Sequence, residues 1–111
     1  MPTSTDAHRY ATLKRSVLSV GLIRRGSLVR RWMPCGKPGC RCQSRPPVLH
    51  GPYYQWTRKI RGKTVTVRVT HDEAKQIEVW IENSRRLGEI VSKMERVALR
   101  ITARSLRENQ R

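Results

Sequence analysis

Three cysteines and one histidine lie close together in the segment CGKPGCRCQSRPPVLH, residues 35 to 50. Cys35, Cys40 and Cys42 have the spacing C-x4-C-x-C, and His50 follows after seven intervening residues. Three thiolates and one imidazole form a complete tetrahedral ligand set for Zn²⁺, which binds soft sulfur and borderline nitrogen well. The sequence therefore predicts one structural Zn²⁺ held by these four residues.

The spacing leaves the fourth ligand open. His50 is the first choice, His71 is the main substitute because a hairpin could return it near the loop, and His8 is less favoured. Three cysteines within eight positions suit one ion better than a disulfide framework. The alternative without metal is a set of reduced, partly buried thiols beside a packed histidine.

The segment after the cysteines has the pattern of a β-hairpin. The run TVTVRVT, residues 64 to 70, alternates β-branched valines with polar residues, and the aromatic run YYQWTRKI, residues 53 to 60, lies on the other side of a turn around Gly62. Alternation predicts one face of inward valines and another that presents Thr64, Thr66 and Arg68, with Arg58 and Lys59 nearby. Tyr54 and Trp56 share a face, and we expect that face to cover the core rather than to stack on bases. An upstream run, SLVRRWM, predicts a further brief strand.

Helical patterns lie at both ends of the chain. We expect residues 1–7 to form a disordered tail that Asp6 ends as a helix cap, followed by a short amphipathic helix stopped near Gly21. Thr70 and Glu73 match a capping box, which predicts a long helix over residues 72–108 with a bend or break at Gly88. The apolar stripe of that helix packs on the first helix, on a second subunit as a homodimer, or as core within one chain.

Together these patterns predict an α+β fold. A short N-terminal helix precedes a small antiparallel hairpin or sheet with a zinc-knuckle-like loop, and a long C-terminal helix follows. Residues 8–111 are expected to form one zinc-stapled domain, with the basic loop and hairpin in residues 25–71. Phenylalanine is absent and the apolar fraction is low, so a metal would supply stability that a small core cannot.

The basic residues are concentrated in the first two thirds of the chain. The sequence has 24 Lys and Arg against 8 Asp and Glu, and no carboxylate side chain occurs between Ala7 and His71. Such a field attracts polyanions, and we expect nucleic acid, with DNA favoured over RNA, rather than a membrane surface. The candidate nucleic-acid-binding residues are Arg30, Arg31, Lys37, Arg41, Arg45, Arg58, Lys59, Arg61, Lys63 and Arg68.

Enzymatic and membrane functions are not expected. Seven of the eight carboxylates fall in the predicted long helix, and neither a P-loop nor a pair of acids for two-metal chemistry occurs in the basic region. The apolar run VLSVGLI is short and runs into Arg24 and Arg25, so we predict a cytoplasmic protein without a signal peptide or membrane span.

Several motifs resemble those of a known family. RGSLVRRW, CGKPGCRC, HGPYY and EVWIENSRRL, within roughly residues 25 to 90, resemble a family of small uncharacterised bacterial proteins, a domain of unknown function often found near transposases. The resemblance implies a small basic cysteine-rich domain in a mobile-DNA context, with Cys35, Cys40, Cys42 and His50 as the matching positions. The sequence as a whole thus predicts a zinc-stabilised DNA-binding accessory of a mobile element. The alternatives are an RNA-binding or ribosome-associated protein and a helix-mediated interaction adaptor.

Overall fold

The computed structural model describes residues 4–109 and has an α+β architecture, as predicted. Helix α1 spans Ser4–Ser16 and continues into a 3₁₀ turn at Val17–Ser19. Three strands follow, β1 at Ser27–Met33, β2 at His50–Ile60 and β3 at Lys63–Val69, and helix α2 spans His71–Asn109. A second 3₁₀ turn, Arg41–Gln43, lies in the loop between β1 and β2.

The three strands form one antiparallel sheet in the order β1-β2-β3. A two-residue turn joins β2 to β3, in which Arg61 and Gly62 have φ angles of 51° and 81°. Positive φ at both central residues is the geometry of a type I′ turn, whose twist matches that of the flanking strands. The turn pairs Ile60 with Lys63 and thereby sets the register of the hairpin.

Cross-strand pairing assigns every strand side chain to one of two faces, because directly paired residues in an antiparallel sheet point to the same side. Trp56 pairs with Leu28 on one side and Val67 on the other, and this row marks the face that we call the core face. The opposite side is called the open face. Its members are Ser27, Val29, Arg31, Tyr53, Gln55, Thr57, Lys59, Thr64, Thr66 and Arg68.

The first turns of α2 pack on the core face. Trp56, Ile77 and Ile81 are buried together, and Leu28, Val69 and Trp80 pack around them. This arrangement confirms the inward valine face and the prediction that Trp56 is core. The hairpin therefore presents the buried indole to helix α2 rather than to solvent.

A capping box holds the start of α2, as predicted. The Glu73 amide donates to the Thr70 hydroxyl at 3.1 Å, and the Thr70 amide donates to the Glu73 carboxylate at 2.9 Å. These reciprocal bonds satisfy two backbone donors that the first helical turn would leave free.

Three expectations about the ends of the chain need correction. Helix α1 already begins at Ser4, so residues 4–7 are helical rather than part of a tail, and residues 1–3 lie outside the described residues. Asp6 is inside the first turn of α1 instead of capping it, and its carboxylate accepts from Arg100 Nε at 3.4 Å. Helix α2 runs through Gly88 without a break because the flanking residues keep helical hydrogen bonding.

The chain divides into two compact units. One consists of residues 24–81, with the sheet, the cysteine loop and the start of α2, and the other combines α1 with α2 from Glu82 onward. In the second unit, Asn83 donates to the Leu22 carbonyl at 2.9 Å and Arg86 donates to the Ser19 hydroxyl at 2.8 Å. Together with the Arg100 to Asp6 pair, these bonds run antiparallel along the two helices, so the distal part of α2 packs on the first helix.

Some apolar side chains of α2 remain outside this packing. Ile90 and Val97 are buried, whereas Val91, Leu99 and Leu106 are exposed. A homodimer through α2 stays a prediction. Among the described residues, none of the helices combines the length and the apolar character that crossing a bilayer requires.

Two glycines give a matched test of how closely the chain before β1 approaches β2. Gly26 has φ 131°, and a Cβ there would lie 2.5 Å from the Thr57 carbonyl oxygen and 2.6 Å from Trp56 Nε1, whereas a Cβ at Gly88 would meet nothing within 4 Å. We expect Gly26→Ala to lower the free energy of unfolding by more than about 1 kcal/mol. Gly88→Ala should raise it by about 1 kcal/mol through helix propensity. Urea denaturation measures both, and equal effects of the two substitutions would contradict the close approach at Gly26.

The capping box predicts a pH-dependent contribution to stability. The amide and then the hydroxyl of Thr70 lower the pKa of the Glu73 carboxyl. Since the folded-state pKa is depressed, this contribution is complete above the unfolded pKa of about 4.3 and is lost as pH falls through the folded value. Thr70→Ala should destabilise the protein by about 1 kcal/mol at pH 7.

Glu73→Gln should destabilise at pH 7, and its difference from the wild type should shrink in acid. Glu78→Gln, on the same helix, is the control and should leave the free energy of unfolding unchanged. A Glu73→Gln effect that is the same at pH 3 and pH 7 would argue against a role for the ionised carboxylate.

Candidate metal centre and basic surface

The cysteines lie in the loop between β1 and β2. Pairing of these two strands holds the two ends of the loop together. Strand β1 ends at Met33, whose partner in the ladder is His50, the first residue of β2. The pairing brings His50 beside the chain that leads to Cys35. Cys40 precedes the 3₁₀ turn that contains Cys42, so the sequence from residue 35 to 50 doubles back on itself.

The four predicted ligands converge in this loop. Their ligand atoms all lie within 4.8 Å of one another. Cys35 Sγ is 3.5 Å from Cys42 Sγ, and Cys40 Sγ is 3.0 Å from His50 Nε2. Two sulfurs that share a tetrahedral ion at 2.3 Å would be about 3.8 Å apart, so the spacing of the cluster fits one such ion.

Hydrogen bonds inside the loop position the sulfurs. The Cys35 amide donates to Cys42 Sγ at 3.2 Å. Gln43 Nε2 donates to the Lys37 carbonyl at 3.0 Å and to the Cys35 carbonyl at 3.4 Å, which joins the two halves of the loop. Sequence reasoning missed this role of Gln43, because a single amide after the last cysteine carries no recognisable pattern. The side chain nevertheless fixes the backbone that carries two of the ligands.

The thiols differ in their acidity. Hydrogen bonds lower the pKa of Cys40 to about 6, of which the bond from the Cys42 backbone amide is the largest cause, followed by those with the Cys35 thiol, the His50 ring and the Cys42 thiol. For Cys42 the Cys35 amide lowers the pKa, but burial and the neighbouring Cys35 and Cys40 thiols outweigh it and raise the pKa overall. Cys42 is also the buried member of the set, at 3% exposure. The loop thus favours the thiolate form of Cys40 and the neutral thiol form of buried Cys42, which a bound cation would help to ionise.

The other two histidines lie elsewhere. His71 is the first residue of α2, where its ring packs edge-on against Tyr54 with centroids 5.5 Å apart, and its Nδ1 is 3.7 Å from the Asp72 carboxylate. His8 is an exposed residue of α1. Among residues 4–109, His50 is therefore the histidine that the fold brings to the three cysteines.

The ten candidate nucleic-acid-binding residues fall into separate places. All of them are exposed except Arg58, which is half-buried. Lys37, Arg41 and Arg45 lie in the cysteine loop, and Arg61 is in the hairpin turn. Arg31, Lys59 and Arg68 belong to the open face, whereas Arg30, Arg58 and Lys63 belong to the core face.

The position of Arg58 differs from the expectation that it lies beside Thr64, Thr66 and Arg68. It pairs with Val65 on the core face, and its guanidinium carbon is 4.2 Å from the centroid of the Trp56 ring. The reason is strand alternation, because Arg58 lies two residues after Trp56 in β2 and the two side chains therefore share the core face. Lys59, the other residue expected there, does lie on the open face.

The open face is polar and basic. Thr57 and Thr66 bond through their hydroxyls at 2.9 Å, and the Arg68 guanidinium carbon lies 4.2 Å from the centroid of the Tyr53 ring. None of the ten side chains of this face is acidic. In the unit formed by residues 24–81 there are thirteen Lys and Arg and three Asp and Glu, all three of the latter on α2.

Comparison with known proteins identifies the family to which the chain belongs. The model of a domain of unknown function, DUF6788, matches residues 8–79, which include the cysteine loop, the complete sheet and the first turns of α2. No curated protein and no solved structure matches the chain significantly. Because the match spans well over half of the sequence, the chain belongs to the DUF6788 family.

Proposed function

We propose that this protein binds duplex DNA through the basic open face of its sheet and that a structural Zn²⁺ holds the loop at the base of that sheet. The observation that carries the proposal is the open face itself, where Arg31, Lys59 and Arg68 are exposed among hydroxyl and amide side chains and none of the ten side chains of the face is acidic. Cationic side chains that are not neutralised within the protein can displace the counterions condensed on a polyanion, and the release of these counterions favours binding.

The ligand set supports zinc as the metal. Three sulfurs and one imidazole nitrogen suit Zn²⁺, whereas Mg²⁺ and Ca²⁺ require oxygen ligands. Four protein ligands would fill a tetrahedron and leave no position for water or substrate, so an ion held there would have a structural role. Residues Cys35, Cys40, Cys42 and His50 would hold the ion and fasten β1 to the start of β2.

Two aromatic residues of the sheet favour duplex DNA over unpaired bases, whereas a third, Trp32, is half exposed. Trp56 is buried in the core, and the Tyr53 ring on the open face is already covered by the Arg68 guanidinium. Single-strand and RNA binding proteins use free aromatic rings as stacking platforms. Arginine, lysine, threonine and glutamine on a narrow antiparallel sheet instead offer donors to phosphates and to base edges in a major groove.

The family resemblance extends this proposal to a DNA-binding accessory of a mobile element. An RNA-binding or ribosome-associated protein and a helix-mediated adaptor are the other outcomes of the binding assay below. Structured RNA as the preferred ligand would indicate the former, and absence of nucleic-acid binding would indicate the latter.

Metal binding should require His50 and not His71. We expect one tightly bound Zn²⁺ per chain, lost in Cys40→Ser, Cys42→Ser and His50→Ala, with a lower melting temperature because metal binding and folding of the loop are coupled. His71→Ala is the matched control and should retain the full metal content. Elemental analysis of protein purified without chelator gives the stoichiometry. Protein that is free of metal yet melts like the wild type would contradict the site.

The open face should carry the salt dependence of DNA binding. If the protein contacts about five to eight phosphates, its affinity for duplex DNA should fall by roughly two to four decades between 50 and 200 mM salt. Replacing Arg31, Lys59 and Arg68 with glutamine should flatten the slope of log affinity against log salt by up to about three units. Fluorescence anisotropy with duplex DNA, single-stranded DNA and structured RNA provides the measurement.

The control removes the same number of charges from α2. Lys93, Arg96 and Arg107 are exposed residues of the second unit, and replacing them with glutamine should change the slope little. A larger effect from this triple variant than from the open-face variant would assign DNA binding to the helix and refute the proposed surface.

A further inference from the structure

A basic depression of about 600 Å³ lies in the unit formed by residues 24–81, beside the start of β1 and the end of β2. Its cations are Arg24, Arg25, Arg58 and Lys59. Gly26 and Ile60 contribute backbone and an apolar wall, and no carboxylate is among the described residues that line it. We call this depression the arginine pocket, and it is separate from the cysteine cluster.

Arg58 is held in the pocket with unsatisfied hydrogen-bond donors. Its guanidinium lies over the buried Trp56 ring, and its Nε and Nη1 atoms are enclosed without a hydrogen-bond partner in the described structure. Enclosed donors without an acceptor are costly, and a bound anion would offset part of that cost through its charge.

A second guanidinium is positioned by the same ring. The carbon of the Arg24 guanidinium is 4.5 Å from the Trp56 centroid, and the Arg24 amide donates to the Trp80 carbonyl at 3.2 Å. The Trp56 indole N–H donates to the Arg25 carbonyl at 3.2 Å. These contacts fix the backbone at Arg24 and Arg25 before any ligand arrives, which limits the entropy lost on binding.

We propose that the arginine pocket binds a phosphate group. Arg24 and Arg58 supply charge and N–H donors in the planar arrangement that matches phosphate oxygens. Hydroxyl side chains of Ser27, Thr57 and Thr64 also line the depression, on the side of the open face. The volume exceeds one phosphate group and leaves room for an attached sugar, with Ile60 as its apolar contact.

The identification of the phosphate as part of DNA rests on the proposed function. The pocket lies next to the open face along β2, where Thr57 and Lys59 belong to both. A strand that crosses the open face would thus place one phosphate in the pocket. Inorganic phosphate, an internal phosphate and a 5′-terminal phosphate share the required chemistry, and the experiment separates them.

The test follows the indole N–H resonance of Trp56 in the full-length, ¹⁵N-labelled, zinc-replete protein. Inorganic phosphate is added against sodium chloride at constant ionic strength. We expect saturable shifts of the Trp56 indole and of the Thr57 to Lys59 amides. Arg58→Gln should weaken phosphate binding at least tenfold, and Arg58→Lys should restore part of the affinity.

Arg107→Gln is the matched control. It removes one exposed guanidinium from the distal part of α2, outside the unit of residues 24–81, so phosphate affinity should be unchanged. Shifts that rise linearly without saturation, or equal losses in Arg58→Gln and Arg107→Gln, would overturn the proposal. If Arg58→Gln does not retain the wild-type circular dichroism, Lys59→Gln and Thr57→Val replace it, and each should weaken phosphate binding severalfold. Unchanged affinity in both would likewise overturn the proposal.

Titration with matched DNA duplexes then identifies the source of the phosphate. A 5′-phosphorylated duplex that binds more tightly than its unphosphorylated form, with the difference lost in Arg58→Gln, assigns the pocket to a terminal phosphate. Equal affinities with an equal loss in Arg58→Gln assign it to an internal phosphate. Saturable phosphate binding without DNA binding would refute the proposed function alone, whereas DNA binding without saturable phosphate binding would refute the pocket alone.

Discussion

The burial of the Trp56 indole is the contact on which the sheet and the start of α2 both depend. One face of the ring lies in the cluster with Ile77 and Ile81, and its N–H fixes the backbone at Arg25, where the chain enters β1. The guanidinium groups of Arg24 and Arg58 pack against the same ring. A single aromatic residue therefore joins three strands and a helix, and it positions the arginines of the pocket. Losing the ring would remove the core and the cation positions together, because in so small a cluster nothing else can replace its area.

The cysteine loop depends on a different kind of interaction. Between Met33 and His50 the described chain has one 3₁₀ turn, and its backbone is held by the hydrogen bonds of Gln43 and Ser44 rather than by strands. Such a loop buries little apolar area apart from Cys42. A metal that draws four side chains together would replace the missing core, which explains why the ligands sit where the ladder of β1 and β2 ends.

Local patterns were sufficient for much of this structure. Alternating valines and a glycine turn predict the hairpin, Thr70 and Glu73 predict the helix start, and the cysteine spacing predicts a cluster that the fold does assemble. The start of α1 could not be predicted from STDA, because Asp6 finds its partner at Arg100, far along the chain. The expectation for Arg58 was wrong because it grouped this residue with the basic side chains near the turn, whereas alternation from Trp56 places it on the core face. The closeness of the three cysteines and His50 was thus predicted better than the side of the sheet on which Arg58 lies.

The charge distribution links stability to the proposed ligand. With thirteen basic and three acidic side chains, the unit of residues 24–81 is repelled by its own field, and its apolar core is too small to make that repulsion negligible. Anything anionic that binds the folded surface but not the unfolded chain must then raise the free energy of unfolding. If the proposed ligands bind, binding and folding would be coupled on both sides of the sheet, through arginines stacked on Trp56 at one face and on Tyr53 at the other. The excess of arginine that weakens the isolated fold is, on this argument, the same feature that lets a polyanion stabilise it.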